Sequence, residues 1–308
     1  MAIPNFINFG NPLIGGSFSV PNRNGQIIFV DPNGLAPRGT SGTYFRTIQS
    51  AIDAISTDTG STIFLFPGTY EENLVVLNRN YVTIMGAMIP GYAKPDIVPA
   101  SGVALTVTAS QGITLRHLRF AAPAADVDLI IQEGNGFIIE DCVLDGDATQ
   151  GNAKGLLRLK GNATDDAFTA SEGIIRNCLF RGSGGLGLIF DTAEPTVGVG
   201  ETDVQVAGCI FIGNDQSDIA TADTGPGTYS IQRGVIGPAN IFESKNKTNY
   251  IDLTTSNGGA ASAQTGTIVA NYFAADAITT TNVAMVGTGF TFVGNFSTVG
   301  VVDGSALD

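Results

Sequence analysis

Apolar residues recur along this chain in short alternating runs rather than in helical stripes. The strings GFIIEDCVLDG (136–146), GIIRNCLFRGS (173–183) and DVQVAGCIFIGN (203–214) share one pattern. Each has an apolar residue three before a cysteine and a large apolar residue two after it. Extending the register gives Ile84, Leu115, Ile139, Ile175, Val206, Gly237, Ile268 and Phe292, at spacings of 31, 24, 36, 31, 31, 31 and 24 residues. Three residues on, the slot reads Ala87, Leu118, Cys142, Cys178, Cys209, Asn240, Asn271 and Asn295. Two further, it reads Ile89, Phe120, Leu144, Phe180, Phe211, Phe242, Phe273 and Ser297. Alternation with period two is the pattern of strands that bury one face.

The position just before the Cys/Asn slot reads Gly86, His117, Asp141, Asn177, Gly208, Ala239, Ala270 and Gly294. Gly, Asn, Asp and His best tolerate the left-handed backbone region. Each unit therefore reads as strand, sharp bend, strand. A third apolar run per unit, such as VALTV (103–107), GLLRL (155–159) or GLGLIF (185–190), supplies another short strand. Units of this length joined by Gly/Thr/Asp/Asn turns predict an all-β fold, a right-handed single-stranded parallel β-helix over residues 41–300. No amphipathic helical pattern follows residue 56. One helix is predicted near 45–56, where Phe45, Ile48, Ala51, Ile52 and Ile55 share a face. Its expected role is to cap the N-terminal end of the stack. Residues 1–40 read as an arm of Pro, Asn and Gly that orders against a partner, and 301–308 as a short tail.

In a stack, Cys142, Cys178 and Cys209 become core rungs, continued by Asn240, Asn271 and Asn295 and flanked by Phe120, Phe180, Phe211, Phe242 and Phe273. Small thiols pack well in such a core, and aligned asparagines hydrogen-bond along it. The three cysteines have no C-x-x-C or histidine partner spacing, so neither a disulfide framework nor a zinc site is expected. His117, the only histidine, falls in the bend slot and reads as structural. Arg116, Glu140 and Arg176 occupy one outward slot as a charge ladder. The string DPNG (31–34) is a turn signal. Paired carboxylates for glycoside hydrolysis need only a separation in space. The best group is Asp165, Asp166 and Glu172 with Asp191 and Glu194, of which Asp165, Asp191 and Glu194 are the catalytic candidates; their alternative is a hydrophilic loop.

Charge narrows the partners. The chain of 308 residues carries a net −13 and has no basic run, which excludes a nucleic-acid binder and an anionic membrane surface. No apolar stretch is long enough to span a bilayer. The start, MAIPNFINFGNPLIGG, lacks the features of a signal peptide, so folding in a cytoplasm without secretion is expected. No cofactor or metal motif is present.

The block FRTIQSAIDAISTDTGSTIFLFPGTYEENLVV (45–76), with Gly68, Tyr70 and Glu72 as G-x-Y-x-E, resembles the opening of right-handed β-helix proteins of the pectin-lyase-like superfamily. The QDT, D-F-x-F-G and G-R-x-W segments of pectin methylesterases are absent, as are the N-T-D and G-H-G segments of polygalacturonases. Asp141, Asp145 and Asp147 with Arg176 or Arg181 loosely mimic the calcium-and-arginine set of pectate lyases, at a different spacing. The same block is found in virion proteins of tailed bacteriophages. The resemblance then implies a non-enzymatic structural virion protein assembled in the host cytoplasm, a capsid decoration or cement protein. It also implies a homotrimer that contacts the major capsid protein through its N-terminal arm. The alternative is a tailspike-like protein that binds or depolymerises a surface glycan.

Overall fold

In the computed structural model, which describes residues 25–34, 43–57, 60–89, 91–122, 127–146, 153–161, 170–191, 201–222, 231–243, 249–253, 265–274, 282–284, 289–298 and 300–302, the bend slot takes the left-handed conformation at every expected member but Gly86, which instead ends the strand Thr83–Gly86. His117, Asp141, Asn177, Gly208, Ala239, Ala270 and Gly294 all have φ between 52° and 64°. Ala239 and Ala270 pay the steric cost of a Cβ in that region. Repetition of the bend builds three long sheets of parallel strands among the described residues. Sheet A, before the bend, has eleven strands from Thr43–Phe45 to Gly289–Val293. Sheet B, after it, has ten strands, from Thr69–Tyr70 to Gly300–Val302, and sheet C has eight, from Leu74–Leu77 to Val283–Ala284. The last strand of sheet B, Gly300–Val302, reverses and pairs antiparallel with Asn295–Ser297.

The inward rows largely follow the expected register. Ile84, Leu115, Ile139, Ile175 and Val206 pair in succession. The next member is Ile236, not Gly237: Ile236 pairs with both Val206 and Ile268. One extra residue, accommodated around a cis Gly237–Pro238 peptide, lies between that row and the bend at Ala239. In sheet B, Phe120 pairs with Ile97, so Ile89 does not belong to the row. The chain instead leaves the coil after Ile89 and rejoins it at the strand Asp96–Ile97.

Within this frame the Cys/Asn slot is a buried column with hydrogen bonds along it, broken at Asn271, whose Nδ2 donates to the Ile236 carbonyl at 2.8 Å but whose Oδ1 is buried with no hydrogen-bond partner. Asn240 accepts from the Cys209 N–H through Oδ1 and donates through Nδ2 to the Val206 carbonyl, both at 2.8 Å. Asn295 Oδ1 accepts from the backbone and side-chain N–H groups of Asn271, at 2.9 and 3.0 Å. Cys178 donates its thiol to the Ile139 carbonyl one rung back, at 3.5 Å. All three cysteines are free and buried, and burial pushes the Cys142 thiol well above its usual value. Beside the column, the rings of Phe180, Phe211, Phe242 and Phe273 stack at 4.7, 5.0 and 4.7 Å, nearly parallel.

The helix is shorter than expected, Ile48–Asp53, and buries Ile48, Ala51 and Ile52. Phe45 belongs instead to the strand Thr43–Phe45. That strand and Ile27–Val30, which lies within the expected arm, extend sheet A past Thr62–Leu65. One helix side chain meets the edge strand of sheet C. There the Gln49 side-chain amide accepts from Val75 N–H at 2.8 Å and donates to Val75 C=O at 3.1 Å, taking the place of a neighbouring strand. The G-x-Y-x-E residues hold this corner together. A Cβ at Gly68 would lie 2.7 Å from the Pro32 ring. The Tyr70 hydroxyl donates to the carbonyls of Val30 and Phe66. The Glu72 carboxylate accepts from the N–H groups of Ile48 and Gln49 at 2.8 and 3.0 Å, at the start of the helix. Glu72→Ala should therefore lower stability by about 1–2 kcal/mol, read from the urea midpoint, with Glu72→Gln losing less. An unchanged midpoint would mean that the motif does not hold the helix.

Candidate functional site

The departure of the chain between Ile89 and Asp96 creates a groove over sheet B. Its floor is the outward row of sheet B, where Thr69, Asp96, Arg119, Val143 and Leu179 pair on successive strands. Tyr92 and Lys94 form one wall, and Arg181 lies at the far end. The groove is open to solvent and has a volume of about 590 Å³. Tyr92 is 69% exposed, so its ring is presented to solvent.

Charges alternate along this face. Arg119 bridges Asp96 and Asp145, the latter at 2.9 Å, and Arg181 reaches the same Asp145 oxygen at 2.5 Å. Lys94 donates to the Asp141 backbone carbonyl. Two arginines thus share two carboxylates, with Lys94 held beside Asp141 by its backbone carbonyl. Burial raises the pKa of Asp96 against the opposing pull of Arg119, and its Oδ1 is buried with no hydrogen-bond partner. On sheet A the expected ladder is present: Glu140 bridges Arg116 and Arg176, the latter at 2.7 Å. Burial works against its ionisation, but both arginines hold its pKa below the usual carboxylate range.

A second charge cluster lies on sheet C. Arg158 sits between Leu157 and Leu159, which belong to the core, and so points outward from the sheet, yet it is only 5% exposed. Its Nε lies 2.7 Å from Asp128 and its Nη1 2.5 Å from Asp191. Next to it Glu133 accepts from Thr108 at 2.6 Å and pairs with Lys160 at 3.0 Å. A buried arginine bound by two carboxylates leaves one net negative charge, and removing the arginine would leave both carboxylates uncompensated by it.

Of the carboxylates the sequence pointed to, Asp191 is in this cluster, 1% exposed and bound to Arg158. Asp165, Asp166 and Glu194 lie outside the described residues. Glu172 is a turn residue with φ 52°. The loose calcium set is not assembled: Asp145 is occupied by two arginines, Arg176 serves Glu140, and Asp141 lies 3.6 Å from His117 Nδ1. Asp147 lies outside the described residues. Among the described residues no group of three or more His, Cys, Asp and Glu could hold a metal ion. Asp31 Oδ1 accepts from the Asn33 N–H at 2.9 Å, the turn expected of DPNG. The sequence reading missed Tyr92, Lys94, Arg119, Asp128 and Arg158. The alternation of Arg119, Asp145 and Arg181 beside the Phe row was the signal available for the groove.

Structural comparison places this geometry among known folds. A pectate lyase, Pel9A, superposes with a TM-score of 0.50 at 13% identity, over 88% of this chain and 75% of its own. A pectin methylesterase in complex with hexasaccharide VII gives 0.50 at 10% identity over 90% of both chains. The Aspergillus niger pectin methylesterase gives 0.49 at 13% identity over 94% of both. The fold is the pectin-lyase-like parallel β-helix. At these identities the likeness extends to the fold alone. No protein-family model matches the sequence, and no curated protein matches it. In the pectin-lyase-like β-helix seen here, the G-x-Y-x-E residues that prompted the resemblance serve as fold determinants, packing Pro32, anchoring two carbonyls and capping a helix.

Proposed function

We propose that this chain is a non-enzymatic structural protein of a tailed-bacteriophage virion, a capsid decoration or cement protein. The observation that carries this reading is where the chain invests its distinctive residues. The three cysteines, the aligned asparagines and the stacked phenylalanines form one continuous column through the rungs, and the motif residues lock its first coils. Such a column makes a rigid rod, which is what a particle surface under mechanical load requires. The acidic surface keeps the rod soluble before assembly. In this reading, residues 1–24, which lie outside the described residues, belong to the arm that contacts the major capsid protein.

A second reading, a glycan-binding tailspike-like protein, is favoured by the groove. Its exposed Tyr92 offers a ring for stacking, and Lys94, Arg119 and Arg181 offer donors to an acidic sugar. Quantitative mass spectrometry of purified particles from the source culture separates the two. A copy number comparable with that of the major capsid subunit is the expected result. A number comparable with tail proteins would favour the glycan reading, and absence from particles would overturn both virion roles.

A further inference from the structure

The outward row of sheet B changes character beyond the groove. From Val143 onward, this one row is apolar on every successive strand: Leu179, Ile210, Ile241, Tyr272, Phe296 and finally Val301 on the reversed strand. Four of these are substantially exposed: Ile210 at 37%, Tyr272 at 40%, Phe296 at 45% and Val301 at 68%. Scattered exposed apolar side chains need no explanation, but an unbroken row of seven on adjacent strands is a contiguous patch. Neighbouring strands are about 4.8 Å apart, so the row runs for roughly 29 Å along the helix axis.

We propose that this row is where two copies of the chain pair face to face, with their helix axes antiparallel. Three features select a second copy. Copies with a net charge of −13 repel one another across most of their surfaces, and this row carries no charge, so approach along it avoids like-charge contact. The row also grades in size from one end to the other, from aliphatic Val143 and Leu179 to aromatic Tyr272 and Phe296. A two-fold axis running along the strand direction at Ile241 lays the row on its own reverse. Leu179 then meets Phe296 of the other copy, and Ile210 meets its Tyr272. Leu179 and Ile210 thus each face a larger ring, while Val143 faces Val301 and Ile241 meets its own copy. A two-fold axis along the helix axis, placed over the row, would instead lay each side chain on its own copy, Leu179 on Leu179 and Phe296 on Phe296, so that no smaller side chain faces a larger one. The antiparallel arrangement is isologous and closes at two copies.

The patch is narrower than a standard interface, so pairing is expected to be weak and to appear at micromolar concentrations. Sedimentation equilibrium of the full chain is expected to show a monomer–dimer equilibrium. Tyr272→Lys should weaken it at least about tenfold, which is 1.4 kcal/mol. Leu77→Lys, an equally exposed site on sheet C, should leave it unchanged. Because the native cysteines are buried, Ile241→Cys places one added thiol on the two-fold axis, and a short bis-maleimide, which spans the roughly 10 Å between packed sheets, should give a covalent dimer. That variant keeps the test decisive should Tyr272→Lys fold poorly. A monomer at the highest soluble concentration, a three-chain species such as the resemblance implied, or a dimer that Ile241→Cys cannot cross-link would each overturn the proposal. All of these readouts use free protein, so they stand or fall independently of particle copy number.

Discussion

Phe211→Ala is expected to cost about 3–5 kcal/mol of unfolding free energy. The side chain is fully buried, with the Phe180 ring 4.7 Å away on one side and the Phe242 ring 5.0 Å away on the other. Truncation removes the transfer free energy of the ring and leaves a cavity that its neighbours cannot close. Phe180 and Phe242 are fixed by their own strands, which pair with the Phe211 strand residue for residue. Two stacking contacts are lost together, where an end member of the series such as Phe273 would lose a less regular set. The neighbouring substitution Ile210→Ala serves as the internal control, since that side chain points outward and is 37% exposed. Denaturant midpoints at equal transition slope would measure both. Near-equal midpoints would refute the claim that the stack is close-packed.

Arg158→Ala should cost a comparable amount, about 3–5 kcal/mol near neutral pH, for the opposite reason. The loss is not mainly of attraction. It is the stranding of Asp128 and Asp191, whose carboxylates would remain in a site where the arginine itself is 5% exposed. A stranded carboxylate can escape its penalty by taking up a proton, which the folded variant would do more readily than its unfolded chain. The variant's deficit should therefore be largest at neutral pH and shrink as the pH falls toward the ordinary carboxylate range. Replacing all three charged groups with apolar residues of similar size should recover much of the loss. A deficit that does not vary with pH would show that packing, rather than charge, is what Arg158 contributes.

The parts of the fold written as strict spacing were legible in the sequence. The bend slot, the Cys/Asn column and the Phe row follow from side-chain size and left-handed tolerance repeated at fixed offsets. Legibility failed where a coil gains residues. Ile89 and Gly237 satisfy the spacing numerically, but an excursion before Asp96 and one added residue before Ala239 shift the true members to Ile97 and Ile236. Spacing also cannot reveal that Ala239 and Ala270 adopt positive φ, because alanine has no preference for it and the neighbouring coils impose it. The groove was hidden for the same reason as Ile97: it is made by the excursion itself. Arg158 reads in sequence as an ordinary outward residue, and only the assembled structure shows that its outward position is buried.

The two ends of the stack also decide what the molecule does not become. A column of parallel strands at constant spacing, with like side chains piled on like, is locally the architecture of an amyloid protofilament, which grows by adding further strands to its open edges. Here the edge strand Leu74–Leu77 is answered by the Gln49 amide on Val75, and at the other end Gly300–Val302 runs backwards on sheet B. An incoming strand at the first site finds part of its hydrogen bonding already taken, and at the second it meets the wrong direction. At these two edges, small local features rather than the repeat itself oppose the addition of a further strand.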